Sequence, residues 1–204
     1  MHIPDGFLST PVNAATAVVS LGFCAVALRQ ARQTLGERQV PLLGVTGAFI
    51  FAAQMLNFPV GAGTSGHLMG SALATVLLGP LNAGLVMAII LAVQCLFFAD
   101  GGITALGSNF FNLGVVGCLV SALILRLLGR GTMGVAAAAW ASVVIASAVC
   151  AVEIALSGVV PLGAVLPAMV GVHALIGIGE AIITCAVVAT IRNVRSDLLP
   201  SATS

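Results

Sequence analysis

Seven apolar runs, parted by short links rich in Gly, Pro or Arg, leave this chain few folds to choose from. The runs cover residues 12–28 (continuing to about 35), 41–57, 67–79, 83–99, 104–127, 133–157 and 168–191. A helix that crosses the ~30 Å hydrocarbon core of a bilayer needs about 20 such residues. Sixty per cent of the residues are strongly apolar, 6% are charged, and neither Lys nor Tyr occurs. A water-soluble domain carries about a quarter of its residues as charges, so this chain has no means of covering itself for water. The unbroken runs and the 24 glycines indicate helices, not the alternating strands of a membrane barrel. The fold expected is all-α: one polytopic transmembrane domain over residues 1–204, seated in the cell membrane. A net charge of +1 gives no basis for a nucleic-acid partner. The five cysteines lie singly inside apolar runs and read as small buried hydrophobes.

The doubtful run is 67–79, which is short for a crossing. The arginines decide its status. If it crosses, the bundle is compact, has seven transmembrane helices, and collects Arg29, Arg32, Arg38, Arg126, Arg130, Arg192 and Arg195 on one face. If it does not, Arg126 and Arg130 change sides. The positive-inside rule selects seven crossings, with the amino terminus outside and the carboxyl terminus cytoplasmic. Segment 67–79 then crosses as a short or broken helix shielded from lipid by its neighbours. This order brings His2, Asp5, Asn57, His67, Asp100, Asn109 and His173 to the outer face.

The first two residues, Met1-His2, form a potential chelate, and no signal peptide precedes them. The α-amine, the His2 amide nitrogen and the His2 Nδ1 close a five-membered and a six-membered ring on one ion. Both rings favour donors in a plane, with a fourth place for one more imidazole, His67 or His173. A His at position 2 disfavours removal of Met1. Four nitrogens in a plane suit Ni²⁺, Cu²⁺ or low-spin Co²⁺ and fit Zn²⁺ poorly. The bland alternative is an incidental Met-His start, with His67 a capping histidine at the interface.

Around this candidate site, residues 1–11 form the inserted amino-terminal segment and 58–67 a glycine-rich loop. Thr64 or Ser65 is placed to cap free amides of a helix starting at His67. Asn57 is placed to hold that loop or orient a ring. Asp5 either bonds an N–H that tucks the terminus in or steers cations. Asp100-Gly101-Gly102 forms a tight turn. Asn109 and Asn112, three apart, face the bundle. His173 and Glu180, seven apart on one helical face, are either a proton relay or part of an interhelical hydrogen-bond network. Phosphate-loop sequences are absent, so ATP-driven work falls to partners, and no residue reads as catalytic.

With these motifs in hand, the chain resembles the substrate-binding membrane component of energy-coupling-factor transporters for cobalt and nickel. The resemblance covers essentially the whole chain. It is carried by Met-His-Ile-Pro-Asp-Gly-Phe-Leu (1–8), Gly-Thr-Ser-Gly-His-Leu-Met-Gly (63–70), Asp-Gly-Gly (100–102) with Leu-Gly-Ser-Asn-Phe-Phe-Asn (106–112), and His-Ala-Leu-Ile-Gly-Ile-Gly-Glu-Ala-Ile-Ile-Thr (173–184). It implies a seven-span bundle that holds its metal by the Met1 amine, His2 and His67. It also implies an energy-transducing transmembrane subunit, a pair of cytoplasmic ATPases and often a small accessory membrane subunit. Ser71 departs from the Gly that many relatives carry. The first motif is closer to the nickel-linked branch than to the cobalt branch, which often reads Met-Glu-Gly near its start. Two rivals stay open: a proton-coupled carrier using His173 and Glu180, and a non-transport scaffold subunit.

Overall fold

The computed structural model describes residues 2–36, 39–56, 58–61 and 64–199. Among these residues seven helices follow in order: α1 Thr10–Thr34, α2 Gln39–Gln54, α3 Ser71–Leu78, α4 Pro80–Phe98, α5 Leu106–Leu128, α6 Thr132–Leu156 and α7 Leu162–Val194. A single 3-10 turn, Ser196–Leu198, follows. Helices α1, α4, α5, α6 and α7 are each long and apolar enough to cross a membrane. Helix α2 is apolar and has 16 residues.

Helix α3, with only 8 residues, spans about 12 Å at 1.5 Å per residue. The sequence pattern predicts a helix over 67–79, but the structure begins it at Ser71. Gly70 holds a φ of 80°, outside right-handed helical geometry, and residues 67–70 run as a buried, non-helical strap. The glycine-rich loop also departs from a purely helical fold. Its strands β1 (Phe58–Gly61) and β2 (Thr64–Gly66) pair antiparallel, with Phe58 opposite Gly66. Helix α4 starts at Pro80, where the missing N–H is no loss. Helix α7 begins at Leu162 and keeps Pro167 within its second turn, where the sequence pattern places a link. A proline there forfeits one amide bond to the preceding turn, a loss that packed transmembrane helices tolerate.

Helix α3 is the centre of the bundle: Ser71 to Leu77 are all buried. Ile50 of α2, Met87 and Leu91 of α4, Leu113 of α5 and Val143 of α6 belong to the same core. Leu21, Phe97 and Ile182 lie on the outside, as lipid-facing residues do. Lipid tails are as apolar as leucine, so close packing and buried polar bonds have to hold such a bundle. Ser20 Oγ donates to the Gly107 carbonyl (2.8 Å), and Thr16 Oγ1 and Ser108 Oγ share a bond (2.6 Å), tying α1 to α5. Ser71 Oγ donates to the Leu113 carbonyl at 2.7 Å, inside a π-helical stretch of α5, Phe111–Val116. Wider i→i+5 winding displaces backbone carbonyls from their usual partners, which opens Leu113 to this hydroxyl.

The helix ends gather in two groups. At one end Thr34, Gln39, Leu78, Asn82, Arg130 and Arg195 line a cavity of about 910 Å³. There Arg130 Nη1 donates to the Val76 carbonyl at 3.2 Å, and Arg192 donates to the Arg130 carbonyl. At the other end lie the amino-terminal segment and the 100–105 turn, with Ser9 N donating to Ser157 Oγ at 3.0 Å.

Candidate metal site

Residues 2–8 run into the bundle and are anchored by Ile3 and Leu8, which are buried against Ala105 and Cys150. Asn109 grips Ile3 from both sides. Its Oδ1 accepts from Ile3 N (2.7 Å) and its Nδ2 donates to Ile3 O (3.0 Å). A carboxamide carries one acceptor and one donor group, so it pairs with a single extended residue as a neighbouring strand would. Gly102 N adds a third bond to Ile3, donating to its carbonyl at 2.9 Å. Asp5 accepts from Thr104 N (2.7 Å), Thr104 Oγ1 (2.5 Å) and Ile103 N (3.2 Å). These bonds, Thr104's foremost, hold its carboxyl below the ordinary aspartate pKa. Gly102 is required by proximity: a Cβ there would sit 2.4 Å from Asp5 N.

This anchoring delivers His2 to His67. The two rings stack with centroids 4.8 Å apart and planes 27° from parallel. His2 Nδ1 lies 2.8 Å from Asp100 Oδ1. The His2 bond pulls the Asp100 pKa down, while burial pulls the His2 pKa down. A neutral imidazole therefore donates Nδ1–H to a carboxylate, and the lone pair sits on Nε2, which is buried without a hydrogen-bond partner. His67 Nδ1 donates to the Leu68 carbonyl at 2.8 Å, fixing the tautomer with its lone pair on Nε2. The Nδ1 bonds thus leave the lone pair of each ring on Nε2.

The strap carrying His67 is tied down just beyond it. Met69 N donates to Glu180 Oε2 and Gly70 N to Glu180 Oε1, each at 2.7 Å. Gln54 Nε2 donates to the Met69 carbonyl at 2.6 Å, and Gln94 Nε2 supports Gln54 Oε1 at 2.9 Å.

The family model described as the cobalt uptake substrate-specific transmembrane region matches residues 2–198. The chain belongs to this family. A putative fused nickel transport protein of Archaeoglobus fulgidus is 40% identical over 98% of this chain and 68% of its own length. A putative metal transport protein of Haloquadratum walsbyi is 41% identical over 98% and 93%. A fused nickel transport protein of Rhodobacter capsulatus is 34% identical over 98% of this chain, which spans 64% of that relative. A crystal structure of a truncated transition metal transporter superposes with a TM-score of 0.89 at 30% identity, covering 95% of this chain and 99% of that one. Together with the five long apolar helices, family membership makes this chain a multi-pass membrane protein of the nickel and cobalt transport class.

Among the expected site residues, the structure brings together His2, Asp5, His67, Asp100 and Asn109. Met1 and Asn57 lie outside the described residues, as do the side chains of Thr64 and Ser65. Helix α3 starts four residues later than its sequence suggests, and the two amides just ahead of it, Met69 and Gly70, are met by Glu180. His173 turns its Nδ1 to the Met169 carbonyl of its own helix at 2.8 Å. With Glu180 tied to the strap, the two supposed relay residues each hold backbone. Glu153, a second buried acid, accepts from Asn112 Nδ2 at 2.7 Å. Among the described residues no group of three or more His, Cys, Asp or Glu side chains converges; a chelate built half from backbone nitrogens needs only two imidazoles. Gln54 went unread as a site-building residue, although a lone carboxamide inside an apolar run was its signal.

Proposed function

We propose that this chain is the substrate-binding membrane subunit of an ATP-driven energy-coupling-factor importer for divalent nickel or cobalt, with nickel the preferred cargo. It crosses the membrane seven times, amino terminus outside, and works with an energy-transducing transmembrane subunit, a pair of cytoplasmic ATPases and a small accessory membrane subunit. The ion sheds its water and is gripped by the Met1 amine, the deprotonated His2 amide, His2 Nδ1 and His67 Nε2. Asp5, Asn57, Thr64, Ser65, Asp100, Asn109 and His173 are the supporting residues of this proposal; Asn109 and Asp5 anchor the amino-terminal segment.

The observation that carries this proposal is the His2–His67 pair. Two imidazoles at adjacent corners of a plane, with metal–nitrogen lengths of ~2 Å, place their centroids about 4.5 Å apart; here they are 4.8 Å apart. His2 Nδ1 is bonded to Asp100. Closing the six-membered chelate ring turns the imidazole about Cβ–Cγ and breaks its bond to Asp100; the Nδ1 proton passes to Nε2, the amide proton leaves to water, and the ion takes the lone pair so exposed on Nδ1. The seven-crossing topology draws support from the two ends of the bundle. Arg130 and Arg195 share the cavity at the end opposite His2 and His67, as the positive-inside rule asks of a cytoplasmic face.

Calorimetric titration of the metal-stripped chain with Ni²⁺ and Co²⁺ tests the assignment. Tight binding by the native chain is expected to vanish when one Ala precedes Met1, and to fall in His67→Ala to the weaker affinity of the three remaining amino-terminal nitrogens. Equal binding by native and extended chains would sink the terminal chelate.

A further inference from the structure

We propose that Glu180 is a positioning residue through which α7 sets the place of His67 in the metal site; this rests on the ligation proposed above. The strap from His67 to Gly70 is buried and non-helical, so its backbone has no helical ladder to hold it. Three bonds from side chains of other helices fix it: two from Glu180 to the Met69 and Gly70 amides, and one from Gln54 to the Met69 carbonyl. The amides that Glu180 holds are two and three residues beyond His67.

The chemistry explains why a carboxylate stands there. The amides of Met69 and Gly70 lie in the non-helical strap ahead of α3, so no helical carbonyl accepts from them. In a membrane interior no water replaces one. A carboxylate offers two acceptors and a charge suited to the positive end of the helix. It is 2% exposed, and both of its oxygens are used on the strap.

Leverage follows from reach. Each residue of extended chain spans up to about 3.5 Å, so a strap released at Met69 lets the His67 ring wander by ångströms. A metal site tolerates errors of only about 0.2 Å in ligand distance. The orientation of His67 is set locally by the Leu68 carbonyl, and Leu68 is itself the residue next to the one Glu180 grips. Glu180 therefore acts on the ion through His67 without touching it.

The test uses the full metal-stripped chain in detergent: native, Glu180→Gln, His67→Ala and the double variant, read by Ni²⁺ titration and by the visible absorption of the Ni²⁺ complex. A Gln at 180 keeps one acceptor and turns an NH₂ group toward an N–H. Glu180→Gln is expected to bind Ni²⁺ about ten- to a hundredfold more weakly, the range for loss of an orienting partner behind a ligand. Its absorption band is expected to move toward that of His67→Ala. In the His67→Ala background the same change is expected to alter affinity by less than about twofold, since coupled positions are not additive. Native affinity and spectrum in Glu180→Gln, or an equal loss in both backgrounds, overturns the proposal. If Glu180→Gln does not fold, Glu180→Asp, which keeps the charge but shortens the reach by one methylene, must shift the band in the same direction; an unshifted band overturns the proposal equally. Absence of Ni²⁺ binding by the native chain would instead sink the ligation on which this inference rests.

Discussion

The two histidines reach the same place on segments held in different ways. His2 precedes Ile3, an extended residue clamped by the neutral carboxamide of Asn109. His67 precedes a strap whose amides are clamped by the carboxylate of Glu180. An extended residue presents one N–H and one C=O, so a group with one donor and one acceptor fits it. The start of a helix presents only N–H groups, so a group with two acceptors fits that. Each clamp thus reads the local backbone, and side-chain chemistry follows from whether the chain is extended or about to coil. The second difference is place. Asn109 meets its partner near the end of α5, beside the turn at 100–105, while Glu180 lies deep in α7, where an unmet amide finds no water.

The largest expected effect comes from forcing the amino-terminal segment off its seat. Gly102→Ala places a Cβ 2.4 Å from Asp5 N and 2.8 Å from the Pro4 carbonyl carbon, and backbone cannot swing aside as a side-chain tip can. The segment must lift, so Ni²⁺ affinity measured by calorimetry should fall about a hundredfold. Protease sensitivity near residues 3–8 should rise while the rest of the bundle stays resistant. Unchanged affinity would mean that the seat of residues 3–5 does not set the position of His2.

Next in size is Asn109→Asp, which tests whether the clamp is read by donor and acceptor. The new carboxylate keeps an acceptor for Ile3 N but sets a second acceptor against Ile3 O, leaving a buried carbonyl opposed instead of satisfied. That costs about 1–3 kcal/mol, or roughly ten- to a hundredfold in affinity where the segment must be seated for binding. Asn109→Ala, which merely empties the place, should be milder in the same titration. The reverse order would show that polarity alone, not pairing, is what Asn109 supplies.

Much of this was legible beforehand. His2, His67, Asp100 and Asn109, which the structure brings together, all stand in the sequence as residue types at definite positions. Each of the seven helices falls within or overlaps one of the seven apolar runs, and five of them are long enough to cross a bilayer. The break before Ser71 was not legible, because its cause lies elsewhere: Gly70 takes a left-handed φ, and Glu180, 110 residues away, accepts the amides that a continuous helix would have used. Likewise Asp5 looked equally suited to steering cations, and only the position of Thr104 shows where its oxygens go. Periodicity reports which face of a helix is apolar; it is silent on which distant backbone a polar side chain will satisfy.

The smallest expected effect is that of Asp5→Asn, and it sharpens the contrast by adding a third clamp in a different medium. Asp5 is exposed and accepts from Thr104 and Ile103 on the rim of the site, where water competes for the same donors. An Asn retains one acceptor for Thr104 N and loses the charge, so Ni²⁺ affinity should change by no more than about threefold, well below the change for the buried Asn109. The same variant separates anchoring from steering. A steering charge acts on the association rate and fades with salt, since the screening length shrinks from about 30 Å at 0.01 M to about 8 Å at 0.15 M. Stopped-flow association of Ni²⁺ at both ionic strengths should be nearly the same for Asp5→Asn and the native chain. A rate deficit present at low salt and absent at high salt would make Asp5 a guide for the arriving cation as well as an anchor for the segment that binds it.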